Sequence, residues 1–292
     1  MEHAQALLKS LYVMAMMVEA RDAYTGGHLW RVSQFARLVA ERMQLPADEV
    51  ARVELGGFLH DLGKVGIPDA VLNKRDRLSD EEYAVIKTHP QVGADLLAGH
   101  PLAALAMDAV WLHHETPDGR GYPQGLSGSA IPRVARIVGV VDALDAMTSS
   151  RPYRAGMPLA TALQIIEENL GRQFDPEVGR VVLGLGRDGA LEAIIGHSAP
   201  GRPLQSCAAC GPTLVMHSEV QDGDTVHCPS CAMGYHVRHQ QGHWQVAATG
   251  VANPVLARQP RADTALIERL VQPAYRLLPQ PKRWLGWFGA SA

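Results

Sequence analysis

The chain has 292 residues, 47% of them hydrophobic and 20% charged, and a net charge of −3. That balance fits one or two globular domains with a substantial core, and the near-neutral charge gives no ground for expecting a DNA or RNA partner. The longest N-terminal apolar run, residues 11–18, is too short to cross a bilayer, and no basic segment with a cleavage site accompanies it, so the expected compartment is the cytoplasm.

In chain order, residues 4–20 predict a helix with Leu7, Leu8, Leu11, Ala15 and Val18 on one face, a candidate for pairing with a second copy in a homodimer. It stops at Thr25-Gly26-Gly27. A second helix starts at His28, with Val32, Phe35, Ala36 and Val39 in line and Arg31 one turn along. Pro46 and Asp48 open a third, which runs into His60-Asp61 and ends at Gly63 and Gly66. Ser79 followed by Asp80-Glu81-Glu82 reads as a helix N-terminus. That helix ends near His89-Pro90, and another covers residues 91–97. Further helices are expected over residues 102–114, 133–147, 159–170 and 177–185, with a glycine- and proline-rich loop at 115–132. Almost no period-2 alternation precedes residue 200, so residues 1–199 predict an all-helical bundle. Short alternating runs follow at 213–217, 225–227, 235–238 and 244–247, giving a second, small β unit over 200–249. Residues 250–292 read as a proline-broken tail in which Asp263 caps a short helix.

Two features carry chemistry. Cys207, Cys210, Cys228 and Cys231 are the only cysteines, and they form two C-x2-C pairs. That spacing predicts one structural zinc held by four thiolates in a zinc ribbon. Because so small a sheet has little core, the metal is expected to keep it folded. The ribbon lacks a dense Lys/Arg cluster, so a protein partner is favoured over nucleic acid. The tail's Lys282-Arg283 and Trp284, Trp287 and Phe288 offer a docking segment or simple packing on the bundle; membrane contact is not expected. The second feature is the set His28, His60, Asp61, His89, His113, His114 and Asp142. Imidazole with carboxylate suits Fe, Mn, Zn, Ni or Co. Taken singly, each histidine is explained as well by a helix cap or a polar core position. Together they exceed the needs of one ion and would serve two, with Asp61 as the bridge. Such a centre suits phosphoester hydrolysis, with Lys64 placed to neutralise charge on the phosphoryl group or to assist the leaving group.

The runs His60-Asp61-Leu62-Gly63-Lys64, His113-His114-Glu115, Asp118 to Pro123 with its Gly121-Tyr122-Pro123 core, Asp142 to Thr148, Arg151-Pro152-Tyr153 and Phe174-Asp175-Pro176 stand in unbroken order over residues 1–190. In this the chain resembles the HD-GYP subgroup of HD-superfamily phosphohydrolases. The resemblance implies a helical bundle with a two- or three-metal centre, iron or manganese, that hydrolyses cyclic di-GMP. It implies that His28, His60, Asp61, His89, His113, His114 and Asp142 are the metal ligands and that Asp61 and Lys64 are catalytic. It also implies that Gly121, Tyr122, Pro123, Asp145, Arg151 and Arg154 meet the substrate. Members with a third metal carry a glutamate where this chain has Tyr24. A binuclear centre is therefore expected, with His28 the ligand to which the resemblance extends least firmly and the linear dinucleotide pGpG its product; continuation to GMP belongs to the three-metal members. Thr116-Pro117 departs from the basic-aromatic pair usual after His-His-Glu. The alternative is a catalytically weak module that binds cyclic di-GMP and signals through the ribbon.

Overall fold

The apolar stripe read on the first helix is buried, but against elements from both ends of the chain. The computed structural model describes residues 2–22, 26–74, 76–150, 154–257, 259 and 261–278. Helix α1 spans Glu2–Glu19, α2 His28–Arg42, α3 Ala47–Leu59, α4 Asp69–Leu72, α5 Asp80–Ile86 and α6 His89–Ala98. Helix α7 spans Met107–Leu112, α8 Arg133–Thr148, α9 Leu159–Glu168 and α10 Pro176–Arg187. The short strands are β1 (His197–Ala199), β2 (Arg202–Pro203), β3 (Gln205–Cys207), β4 (Gly211–Leu214), β5 (Thr225–His227), β6 (Met233–Gln240) and β7 (His243–Ala252). Helices α11 (Pro254–Ala257) and α12 (Thr264–Ala274) follow.

Leu8, Leu11, Tyr12 and Ala15 of α1 meet Phe58 of α3 and Leu266, Ile267, Leu270 and Val271 of α12 in one core, which also takes Val32, Phe35 and Val39 of α2 and Val138 and Val141 of α8. The apolar face of α1 is thus covered within its own chain, and Tyr12 fixes the arrangement by donating its hydroxyl to the carbonyl of Leu270. Polar signals set the helix starts. Ser79 Oγ accepts from the amide of Glu82 at 3.2 Å while the Glu82 carboxylate accepts from the amide of Ser79 at 2.7 Å, a reciprocal capping box. Asp175 caps α10 through the amides of Glu177 and Val178, and Asp263 caps α12 through that of Leu266.

Three local expectations shift. The helix expected over 102–114 is confined to Met107–Leu112, preceded by a 3-10 turn at Ala103–Leu105, because Ala106 leaves the helical region at φ −128°. Helix α4 is a single turn, too short to show a period. Strands β1 to β3 have two or three residues each, and their sequences show no apolar–polar alternation. The β elements form three small antiparallel sheets, β1-β2, β3-β4 and β5-β6-β7. Among the described residues no helix is long and apolar enough to cross a membrane. Tyr24, Arg151 and the tail residues Lys282, Arg283, Trp284, Trp287 and Phe288 lie outside the described residues.

Candidate metal centre

Helix ends converge on one buried point. His28 and His89 open α2 and α6; His60-Asp61 follows α3; His113-His114 follows α7. Asp142 alone comes from the body of a helix, α8. Glycines permit the approach. A Cβ on Gly63 would lie 1.8 Å from the carbonyl oxygen of His89 and 2.5 Å from the amide nitrogen of Gly93, so only glycine lets the turn after Asp61 touch the start of α6. Gly63→Ala is therefore expected to cost on the order of 3 kcal/mol through overpacking or to displace His89; thermal melts and manganese titration check it, and a variant with native melting and metal uptake would contradict it.

The ring orientations are set from behind. His60, His89 and His113 each donate Nδ1–H to a backbone carbonyl at 2.8 Å, of Gly57, Ile86 and Ala109 respectively. That fixes Nδ1 as the outward donor and points each Nε2 at the cluster. His28 donates Nδ1–H to Asp145 Oδ2 at 2.8 Å, so its Nε2 also points inward. Inside, His28 Nε2 lies 3.3 Å from His60 Nε2, and His89 Nε2 lies 3.2 Å from His113 Nε2. Asp61 stands between the two sets: Oδ2 is 3.4 Å from His28 Nε2 and 3.3 Å from His60 Nε2, and Oδ1 is 3.4 Å from His89 Nε2. Asp142 Oδ1 is 3.4 Å from His28 Nε2. Three overlapping groups have ligand atoms close enough for one ion: His28–His60–Asp142, His60–Asp61–His113 and His89–His113–His114. The donor set fits divalent transition metals.

Charge follows this geometry. Burial opposes it, but the Asp61 and Asp142 carboxylates raise His60 to about 10. Against its own burial, Asp61 is held well below the carboxylate range by Lys64 and His60. On the other side burial dominates, pushing His113 well below the usual imidazole range and His114 down to about 3. The centre is thus carboxylate-rich at the His28–His60 end and neutral imidazole at the His89–His114 end. Lys64 Nζ sits 2.7 Å from Asp61 Oδ2, and Asp61 and Asp22 hold it protonated despite burial.

The loop expected to meet substrate leans on the same cluster. The ring of Tyr122 stacks on His114 with centroids 4.7 Å apart. A Cβ on Gly121 would meet the carbonyl of His114 at 2.5 Å. Arg154 is exposed and donates to the carbonyl of Ala146 at the end of α8. Asp145, expected at the substrate, is 1% exposed, with its oxygens committed to His28 and to Arg31 at 2.6 and 3.0 Å. Two residues given no role from sequence prove central. Arg31 is buried behind His28, and the signal was a charged residue one turn into an otherwise apolar helix face. Glu115 is buried and accepts from the amides of Gln124, Gly125 and Leu126 at 2.6, 3.1 and 2.8 Å, clamping the loop that carries Tyr122. Hydrogen bonds to a charged group contribute about 1.5–3 kcal/mol each. Glu115→Gln should loosen the loop and raise KM roughly tenfold with kcat and metal content little changed, since about 1.4 kcal/mol is one decade; steady-state kinetics beside elemental analysis would show it, and an unmoved KM would count against the clamp.

The four cysteine sulfurs lie within reach of one ion. Tyr235 donates its hydroxyl to Cys207 Sγ at 3.1 Å and accepts from the amide of Ala208 at 2.8 Å. Burial opposes it, but that hydroxyl and the amides of Ala209 and Cys210 bring Cys207 down to about 6. Cys210 is pushed up by burial and by the neighbouring thiols. A tetrahedral thiolate-bound ion such as zinc fits this donor set.

Among curated proteins, the chain is 42% identical over 200 residues to the cyclic di-GMP phosphodiesterase response regulator RpfG of Xanthomonas campestris, covering 67% of this chain and 52% of that protein. It is 36% identical over 189 residues to a cyclic di-GMP phosphodiesterase of Thermotoga maritima, covering 64% and 51%. It is 37% identical over 162 residues to the 3'3'-cGAMP-specific phosphodiesterase 3 of Vibrio cholerae, covering 55% and 35%. The chain spans about half the length, or less, of these relatives. The sequence profile of the HD domain family matches residues 12–178. That span is more than half of the chain and holds every histidine and carboxylate of the cluster: the chain belongs to the HD domain family.

Proposed function

We propose that the chain is a metal-dependent phosphodiesterase that opens cyclic di-GMP to pGpG at a binuclear centre in the helical bundle. The observation that carries this reading is Asp61, whose two oxygens face different histidine sets, Oδ2 toward His28 and His60 and Oδ1 toward His89. Two divalent ions held by these residues would supply Lewis acidity toward the phosphoryl oxygens and a lowered pKa for water. The chain's own groups do the rest. Lys64, kept protonated beside Asp61, offers a fixed cation to charge growing on the phosphoryl group. Tyr122, flat on His114 and 6.0 Å from Lys87 Nζ, gives a stacking face for a base, and Glu115 holds its loop. Arg154, with Arg151 beyond the described residues, supplies guanidinium for a second phosphate. The names of the relatives support a cyclic dinucleotide as substrate, and Tyr24 in the sequence supports two metals rather than three. The cysteine module is proposed as a zinc ribbon holding one structural zinc.

Anaerobic purification, elemental analysis and incubation with cyclic di-GMP and 3'3'-cGAMP in the presence of iron or manganese test this. The expected result is two bundle metals and one zinc per chain, with pGpG released. Tight binding without turnover would instead favour a nucleotide-sensing module, and a third bundle metal would remove the binuclear assignment.

A further inference from the structure

We infer that the cysteine module holds the His28 end of the metal centre in place, with Arg31 as the positioning residue between them. The inference rests on reading the bundle as a metal centre, and it adds a dependence of that centre on a module outside the span matched by the family.

Arg31 is 2% exposed and bound on both edges. Nε and Nη2 donate to Asp145, whose Oδ2 accepts from His28 Nδ1. Nη1 turns the other way and donates to the carbonyls of Gly26 and His197, both at 2.9 Å. His197 begins β1, so one planar guanidinium ties the carboxylate behind a metal ligand to the β1–β2 hairpin. The segment leading into His28 is pressed against the same region. A Cβ on Gly27 would lie 2.5 Å from Ser198 Cα, and one on Gly26 would lie 2.3 Å from Val215 Cγ2. Val215 follows β4 directly, and β4 begins one residue after Cys210. Ser198 Oγ donates to the carbonyls of Arg202 and Met216. Arg202 in turn donates to Ser218 and Val220 carbonyls and lies 4.1 Å over the Trp244 ring of β7. The path of packed groups therefore runs from the thiolates through β4 to Ser198 and Gly26, then through Arg31 and Asp145 to His28. The junction is not filled: a cavity of about 30 Å³ lies among Trp30, Ser198, Met216 and His217. Loosening β3–β4 would let β1 move and release the guanidinium edge that fixes Asp145 against His28.

Removing a partner behind a metal-bound histidine typically lowers metal affinity by about 10–100-fold. Manganese(II) titration of the full chain, followed by the free-ion electron paramagnetic resonance signal, tests the inference on three proteins: wild type, C210S/C228S and R31K. Lysine can still pair with Asp145 but cannot span both carbonyls as well. The expected result is at least a roughly tenfold weaker manganese affinity in C210S/C228S, with zinc lost and the helical circular dichroism kept. R31K should show a similar loss with zinc retained. Unchanged manganese affinity in C210S/C228S overturns the coupling, as does a wild-type chain without zinc. Should C210S/C228S lose its helical signal, R31K decides, and native affinity in R31K overturns the role of Arg31. A wild-type chain that takes up no manganese fails the metal-centre reading itself.

Discussion

Asp61→Asn is expected to lower kcat by about 10³, roughly 4 kcal/mol of transition-state stabilisation, and to bring bundle metal below two per chain. The amide keeps the shape of the carboxylate but offers one neutral oxygen where the native side chain faces histidines with two. It also leaves the half-buried Lys64 beside a dipole instead of the charge 2.7 Å away, so the ammonium loses the partner that holds it in place. Single-turnover measurement with saturating manganese separates the two losses: metal-rescued turnover near the native rate would mean that Asp61 serves affinity alone. Circular dichroism should stay native, because Asp61 lies at a helix end and the core of the bundle is apolar.

The second large effect is expected at Cys228→Ser. The core of the cysteine module consists of Cys207, Cys210, Leu214, Cys228 and Tyr235, so four of its sites are thiols or a phenol and one is aliphatic. Apolar burial of that size cannot order the segment from β3 to β7, whereas structural zinc contributes roughly 10–16 kcal/mol in comparably small units. Cys228→Ser should lose its zinc and become protease-sensitive between residues 205 and 252 while the helical signal persists. Equal protection with and without zinc would show that the sheet is held by packing on the bundle instead.

The gathering of His28, His60, Asp61, His89, His113, His114 and Asp142 was legible because most of them stand at helix ends or beside glycine turns, and because the ordered motifs resemble a known family. What lay behind these side chains was not legible. Asp145 carries the same charge whether it faces a substrate or the back of His28; only the position of Arg31, one turn from His28 on the neighbouring helix, decides which. Glu115 reads as one more acid next to His114 until the loop returns its three amides nine to eleven residues later. Strands β1 and β2 escaped because His197-Ser198-Ala199 and Arg202-Pro203 show no apolar–polar alternation, yet β1 supplies the His197 carbonyl that Arg31 requires. Helices with a polar cap, such as those opened by Ser79, Asp175 and Asp263, began where the cap placed them.

The packing of α12 bears on how fragments of this chain behave. Leu266, Ile267, Leu270 and Val271 are each at least 95% buried, against α1 and α3. Burial of such side chains is worth about 1.5–3 kcal/mol each, so together they approach the whole net stability of an ordinary domain, about 5–15 kcal/mol. A fragment ended at residue 199 would carry every histidine and carboxylate of the cluster and yet expose Leu8, Leu11 and Tyr12 as a bare apolar strip. Such a fragment should express into inclusion bodies, and adding residues 261–278 back as a separate peptide should restore solubility.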